Sequence, residues 1–339
     1  MNNGSYRLTI YCNGHIINNG TWENYQTKLN GFDDQLIYLI AGKEITGEFR
    51  FDALINDPPH QWKWNGTNLN SADFTGETSN LLEWEVPVST DYLGDFKCYG
   101  ASDSSRKILI RSGIIIDPAI QLQGPYNGVD MDTELAVQSL IPLEQPFNVA
   151  PWNYAGDETV TSIPSDIVDW ILVELRQTTG GPETATSDSI VMQRALLLRN
   201  DGRAVDPWHQ TPELKYDIDL NDNIYMVIWH RNHLGVMTAV PISDGDSPAF
   251  YDFSESAAQA YGGTDALIDM GNGVFGLMGG DADYNQEITQ QDRDGFWDPN
   301  VGLPCGYEAY DFTLDGQVDN KDKNQTWTKT LGKETQVPE

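Results

Sequence analysis

The feature that most constrains this chain is a pattern of oxygen-bearing residues that occurs twice near its carboxy terminus, thirty residues apart. The first copy is Asp281-Ala282-Asp283-Tyr284-Asn285-Gln286-Glu287-Ile288-Thr289-Gln290-Gln291-Asp292. The second is Asp311-Phe312-Thr313-Leu314-Asp315-Gly316-Gln317-Val318-Asp319-Asn320-Lys321-Asp322. A hard divalent cation takes about six to eight oxygens at about 2.3–2.6 Å. A loop of about twelve residues delivers them from positions 1, 3, 5, 7 and 12, while position 8 turns inward as an apolar anchor. The spacing predicts two calcium ions. The candidate ligands are Asp281, Asp283, Asn285, Glu287 and Asp292 in the first loop, and Asp311, Thr313, Asp315, Gln317 and Asp322 in the second. Ile288 and Val318 are the anchors. Gly316 suits the sharp turn at position 6, where the first loop has Gln286, and Thr313 offers a neutral oxygen, so the two sites are expected to differ in strength. Without metal the clustered carboxylates repel one another, and binding is expected to become folding energy for the segment.

Asp at position 12, with no long helix before either loop, makes the pair resemble the dockerin family more than two-helix calcium sensors. The resemblance implies two loop-helix units in pseudo-twofold packing, with helices from Asp292 to Trp297 and from Lys321 to Thr328. It also implies a small α module over residues 273–339. The partner it implies is a protein, either a cohesin-like β-sandwich or another copy of this chain.

Upstream, short runs of β-branched and aromatic residues between turn residues predict a mainly β chain; Trp and Tyr number 10 and 15. Residues 25–116 are expected to form a first sandwich. Gln61-Trp62-Lys63-Trp64-Asn65-Gly66-Thr67 and Asp91-Tyr92-Leu93-Gly94-Asp95-Phe96-Lys97-Cys98 resemble the third strand and tyrosine corner of the immunoglobulin-like family. Phe96 stands where that family has its Tyr, and the partner cysteine is absent, so Phe49, Phe51 and an apolar core would replace the disulfide. Residues 1–24 read as a strand, Asn3 to Tyr11, with no partner before Trp22: a remnant of a preceding domain, or an arm that completes another molecule's sheet.

Asp117-Pro118 marks a boundary, and residues 117–250 predict a second sandwich with strands Ile167 to Arg176, Arg194 to Leu198 and Asn223 to Trp229. From Leu122-Gln123-Gly124-Pro125 to His230-Arg231-Asn232-His233-Leu234-Gly235 this stretch resembles a sandwich module of secreted multidomain Bacteroidetes proteins, which implies an extracellular, cell-surface setting. Residues 251–272 read as a linker. His230 and His233, three apart after a strand and without a third ligand, read as surface turn residues.

The balance of 20 basic and 51 acidic residues, a net charge of −31, excludes nucleic acid as a natural partner and suits divalent cations. No apolar run is long enough to span a bilayer. The first twenty residues do not form a signal peptide, so Met1 is expected not to be the start of the exported precursor. Three cysteines, Cys12, Cys98 and Cys305, allow one disulfide at most, with Cys12 and Cys98 as one pairing. No nucleophile elbow, phosphate loop or dinucleotide fingerprint is present. Together these readings point to a non-catalytic structural or adhesive surface protein, with assembly into a filament or sheet as one expectation. Two alternatives stay open: the accessory end of a larger secreted enzyme, and a carbohydrate-binding module that uses Trp62, Trp152 or Trp208.

Overall fold

A computed structural model of the chain describes residues 9–12, 16–18, 22–29, 35–40, 45–69, 73–84, 94–102, 104–207, 214–216, 222–242, 249–304 and 306–339. It is mainly β, in several sheets with few, short helices. The chain divides into two compact units. One comprises residues 1–115, 215–220 and 244–248, and the other 116–214, 221–243 and 249–339.

The first unit holds β1 (Thr9–Cys12), β2 (Ile16–Asn18), β3 (Trp22–Leu29), β4 (Gln35–Ile40), β5 (Ile45–Asp52), β6 (Gln61–Trp64), β7 (Thr67–Asn68), β8 (Phe74–Thr75), β9 (Leu81–Trp84), β10 (Gly94–Tyr99) and the start of β11 (Ile108–Ala119). One sheet runs β1-β3-β5-β9-β8 and another β2-β4-β11-β10-β6-β7. Period-two alternation sends Phe49 and Phe51 of β5, Phe74 of β8 and Leu82 and Trp84 of β9 into one core. Trp62, Phe96, Cys98, Ile108 and Ile110 enter it from the other sheet. Two sheets over a shared core make a β-sandwich.

The aromatic rings interlock edge to face: Phe51 and Trp84 have centroids 5.2 Å apart, and Trp84 and Phe96 4.9 Å. Trp62 is fully buried, and its indole N–H donates to the Ser79 carbonyl at 3.0 Å. Trp62 is therefore a core residue, which removes it as a sugar platform. Phe96 stacks on Trp64 with centroids 5.8 Å apart. Cys98 is a buried free thiol whose pKa burial raises to about 11. Asp91 to Leu93 of the corner motif, and Trp208, lie outside the described residues.

Pairing in this unit departs from the antiparallel immunoglobulin pattern, because β1 with β3, β3 with β5, β2 with β4 and β4 with β11 run parallel. The amino-terminal strand, read as a remnant of a preceding domain or an arm for another molecule's sheet, pairs with β3 of this chain, Thr9 opposite Gln26.

The second unit is built on β12 (Ile167–Thr178), β13 (Ile190–Arg199), β14 (Ala204–Val205), β16 (Asn223–Trp229) and β17 (Val236–Met237); β15 (Leu214–Tyr216) lies between β14 and β16 in the chain. These five form an antiparallel sheet in the order β14-β13-β12-β16-β17. Every residue from Ile167 to Arg176 is buried, as in a strand covered on both faces. β18 (Ala249–Asp252) adds in parallel to the end of β11, and β19 (Leu267–Gly271) and β20 (Val274–Leu277) form a hairpin. Its Asn272-Gly273 turn has both φ angles positive, as a tight type I′ connection requires.

Two features of this unit differ from the sequence reading. The residues read as a linker carry short helical turns at Ala257–Gln259 and Gly263–Asp265, bury Phe253 completely, and bond back to the sheet through Ala239 N to Gln259 O at 2.8 Å. The loops of residues 273–339 share one compact unit with the sheet. Val337 packs with Tyr225, Val227 and Met237, and Arg176 Nη1 donates to the Pro338 carbonyl at 2.6 Å. Local periodicity identified the strands but held no information about what covers them.

Replacing Trp62 by Ala should destabilise the first unit by about 3–5 kcal/mol, the usual cost of emptying a buried indole site. Denaturant unfolding followed by tryptophan fluorescence measures it, and an unshifted transition would show that Trp62 does not anchor the core.

Candidate metal centre

Both acidic loops fold by the same local rules. The carboxylate at position 1 accepts two backbone N–H groups: Asp281 from Asn285 (3.2 Å) and Gln286 (3.0 Å), Asp311 from Asp315 (3.2 Å) and Gly316 (2.8 Å). At position 5, Asn285 Oδ1 accepts from Glu287 N at 2.8 Å and Asp315 Oδ1 from Gln317 N at 3.0 Å. At position 12, Asp292 takes the amides of Ala282 and Thr289, both at 2.7 Å. Asp322 takes those of Thr313 (2.9 Å) and Asp319 (2.8 Å). The last contact in each set is half of a capping box, in which position 12 satisfies the amide of the residue that opens the helix. Left-handed backbone recurs at positions 4 and 6: Tyr284 and Gln286 have φ of 65° and 66°, Leu314 and Gly316 of 59° and 80°. Gln286 bears this strain without being Gly, and its side-chain oxygen accepts from Gly235 N at 3.0 Å.

After each loop comes a short helix, π-wound over Asp292–Trp297 and Asp322–Trp327 and α-wound over Asp298–Asn300 and Thr328–Thr330. The two halves exchange contacts reciprocally. Trp297 Nε1 donates to the Asp319 carbonyl of the second loop at 3.1 Å, and Trp327 Nε1 to the Thr289 carbonyl of the first at 3.0 Å. Lys323 lies over the Trp297 ring at 4.7 Å and Arg293 over the Trp327 ring at 5.3 Å. Gly302 N donates to Val318 O (2.9 Å) and Gly332 N to Ile288 O (2.8 Å), so each helix ends on the other loop's anchor. Ile288, Val318, Trp297, Trp327 and Phe312 share one core.

The ligand candidates are distributed unequally. Oxygens of Asp281, Asp283 and Asp292 lie within 4.8 Å of one another. That is the widest separation two oxygens can have when both sit about 2.4 Å from one ion. In the second loop Asp311 and Asp322 are fully buried, and Thr313 Oγ1 donates to Asp322 Oδ1 at 2.9 Å. Asp315 pairs with Lys321 Nζ at 2.7 Å, so its carboxylate is partly neutralised already. Asn285, Glu287 and Gln317 are exposed. Position 7 of such loops contributes its carbonyl, so the side chains of Glu287 and Gln317 are not needed at the ion.

Burial, then the neighbouring Asp292 charge, raises the pKa of Asp281 to about 8. Burial likewise raises Asp311, Asp292 and Asp322 above the usual carboxylate range. These are the electrostatics of a site that gains from a cation: buried acids shifted upward because desolvation and neighbouring carboxylates outweigh the donors around them. The oxygen-rich, nitrogen-free donor set suits calcium rather than a transition metal.

The segment His230-Arg231-Asn232-His233 ties the two loops together. The Asn232 carbonyl accepts from Gly280 N (3.0 Å) and Asp281 N (3.3 Å) at the head of the first loop. Its side-chain amide donates to Ala309 O (3.0 Å) and Asp311 O (2.7 Å) at the head of the second. Its Oδ1 meets His233 Nδ1 at 2.8 Å. Next to it Asp169 of β12 receives Arg231 Nε at 2.8 Å, His230 Nε2 at 3.2 Å and the Tyr307 hydroxyl at 2.5 Å, and Arg231 lies 4.0 Å over the Tyr307 ring. Burial alone would raise Asp169, but Arg231 and the hydrogen bond from His230 hold its carboxyl well below the usual range. Burial lowers both histidines, so they are neutral imidazoles at pH 7.

His230 and His233, expected on the surface, are thus fully buried. The cause is simple: His230's partner Asp169 is 61 residues away in the chain, where it reads as one polar position in a strand, and His233 packs on His230 and Asn232. A local signal does exist at Gly124, where an added Cβ would lie 1.8 Å from Phe312 O, so only Gly allows this approach to the second loop. Trp152 is half-buried, with its ring between Phe147 (5.1 Å) and Tyr284 (5.3 Å).

No protein-family model and no curated protein matches the sequence. Among solved structures, the chain is similar to the CD2-binding domain of CD58 (lymphocyte function-associated antigen 3). Identity is 10%, coverage is 58% of this chain and 91% of that one, and the TM-score is 0.20.

Because the Asn232 side chain serves the head of the second loop while its backbone carbonyl serves the first, Asn232→Ala should weaken calcium binding chiefly at the second loop and cost on the order of 3 kcal/mol through the buried carbonyls it leaves unpaired. Calorimetric calcium titration with thermal unfolding checks this, and unchanged binding at the second loop would contradict the side chain's role.

Proposed function

We propose that this protein is a non-catalytic, extracellular structural or adhesive component whose second unit is held together by two calcium ions. The observation that carries the reading is the duplicated loop, with buried carboxylates at positions 1 and 12 and reciprocal Trp297 and Trp327 contacts. Asp281, Asp283, Asn285 and Asp292 with the carbonyl of Glu287 would hold one ion. Asp311, Thr313, Asp315 and Asp322 with the carbonyl of Gln317 would hold the other. A bound ion supplies the positive charge that these carboxylates otherwise replace with protons.

The reciprocal packing supports a dockerin-like arrangement, and the β-sandwich of the first unit supports an immunoglobulin-like module. Loops with few charged ligands suit the high free calcium found outside cells. The loops also differ from a freely presented docking module, since Asn232, Arg231 and Gln138 of the same chain hold them; Gln138 Nε2 donates to Asp315 O at 2.8 Å. In this reading calcium stiffens a spacer, and the protein partner, a second copy or a cohesin-like sandwich, meets the faces left outward. An accessory role beside a secreted enzyme is compatible with the same calcium chemistry. A glycan-binding role is less well supported, because Trp62 is a core residue and Trp152 packs between two rings.

Chelation should lower the unfolding temperature of the second unit while sparing the first. Each site contributes about 2.7 kcal/mol when free calcium is a hundredfold above Kd. Circular dichroism melts with calcium and with EDTA test this, and identical melts would sink the proposal.

The chelated protein should also lose stability as pH rises from 6.8 to 8.8. Asp281, at about 8 when folded and 3.8 in its ordinary state, keeps its proton only in the folded chain. Its contribution is therefore complete at low pH and disappears as pH passes through about 8. This window lies above the range in which the buried neutral histidines act in the opposite direction. With calcium bound the trend should vanish, because the ion displaces those protons and the carboxylates are then ionised in both folded and unfolded chain over this range. Greater stability of the chelated form at pH 8.8 would contradict the assignment.

A further inference from the structure

Away from the calcium loops, residues 143–160 fold back on themselves. Glu144 bridges to Thr159, Gln145 N donates to Glu158 O at 3.1 Å, and Tyr154 N donates to Phe147 O at 2.9 Å. This turn encloses a depression of about 290 Å³ whose lining includes Glu144, Asp157 and Glu158, with the amides of Gln145 and Asn148. None of its described lining residues is Lys, Arg or His.

Most polar groups of this wall are used internally. The Gln145 amide donates to Gly156 O at 3.0 Å and its oxygen accepts from Phe147 N at 2.6 Å. Glu158 is the exception. It is only 3% exposed; its Oε1 accepts from the Tyr154 hydroxyl at 2.6 Å, whereas Oε2 is buried and has no hydrogen-bond partner among the described residues. A Cβ added at Gly156, which lines the same depression, would lie 2.3 Å from that oxygen and 2.2 Å from the Tyr154 ring. Only Gly fits there, because the Tyr154 ring and the Glu158 carboxylate take up the place of a side chain.

A buried carboxylate oxygen without a donor is costly, and an incoming N–H group removes that cost. Three carboxylates favour a cation as the donor's carrier. Glu144, Asp157 and Glu158 are not gathered like Asp281, Asp283 and Asp292, and no calcium-loop spacing surrounds them, so the depression suits a larger organic cation. We propose that it binds the ammonium or guanidinium group of a basic peptide side chain, with Glu158 Oε2 accepting from the N–H and Glu144 and Asp157 supplying counter-charge.

The full chain, saturated with calcium, can be titrated by amide NMR with acetyl-Gly-Lys-Gly-amide and its Arg counterpart. Norleucine tripeptide, n-butylamine, glucose and additional calcium serve as comparison probes. The expected result is saturable shifts at Gln145, Gly156 and Glu158 with the Lys and Arg peptides, and none with norleucine, glucose or calcium. Glu158→Gln, which keeps the acceptor for Tyr154, should weaken binding about tenfold. If that variant perturbs the fold, Asp157→Asn on the exposed rim should still weaken it about two- to threefold. Several results would overturn the proposal: no saturable shift, an equal response to norleucine, glucose or calcium, a response to butylamine but to neither peptide, or wild-type affinity in every variant that folds.

Discussion

A carboxylate removed from water needs positive charge or hydrogen-bond donors around it, and the second unit is organised around meeting that need. Asp169, Asp281, Asp292, Asp311 and Asp322 are all at most 1% exposed. Asp169 has a complete answer in Arg231, His230 and Tyr307. The other four have only neutral donors, backbone amides with the Thr289 and Thr313 hydroxyls, and Asp281 among them is raised to about 8. One side of this polar system is therefore self-sufficient and the other is not. Asn232 joins them, since the residue beside Arg231 also binds the heads of both loops.

This junction explains why the loops and the sheet form one compact unit. Pulling the loops away would expose the unpaired carbonyls of Asp311 and Ala309, and would strip Arg231 of its stacking on Tyr307. Calcium, in the proposed function, would act on the sheet through the same contacts: the ion fixes Asp281 and Asp311, whose neighbouring backbone is held by Asn232.

The repeated loop geometry was legible in the sequence because the candidate ligands of each loop lie within one short segment, where spacing reports backbone form. Ile288 and Val318 were readable as anchors for the same reason, and both are buried. The strands Ile167 to Arg176 and Asn223 to Trp229 were also evident, from length and continuous apolar character. Their cover was not. Asp169 meets Arg231 across 62 positions, and a polar residue inside a strand carries no label for its partner. The run His230 to His233 looked like a wet turn because polar residues after a strand usually are. The parallel pairing of β1, β3 and β5 escaped for a related reason: alternation gives a strand's faces but not the direction of its neighbour.

The central claim, that metal in the loops and order in the sheet are one property, is tested most directly by hydrogen exchange of individual amides with and without calcium. The account predicts that chelation releases the amides of Ala282, Gln286, Thr313 and Gly316, and with them those of Leu172 to Leu175 in β12. Amides of β6 and β10 in the first unit should keep their protection. Equal protection of β12 in both conditions would contradict it.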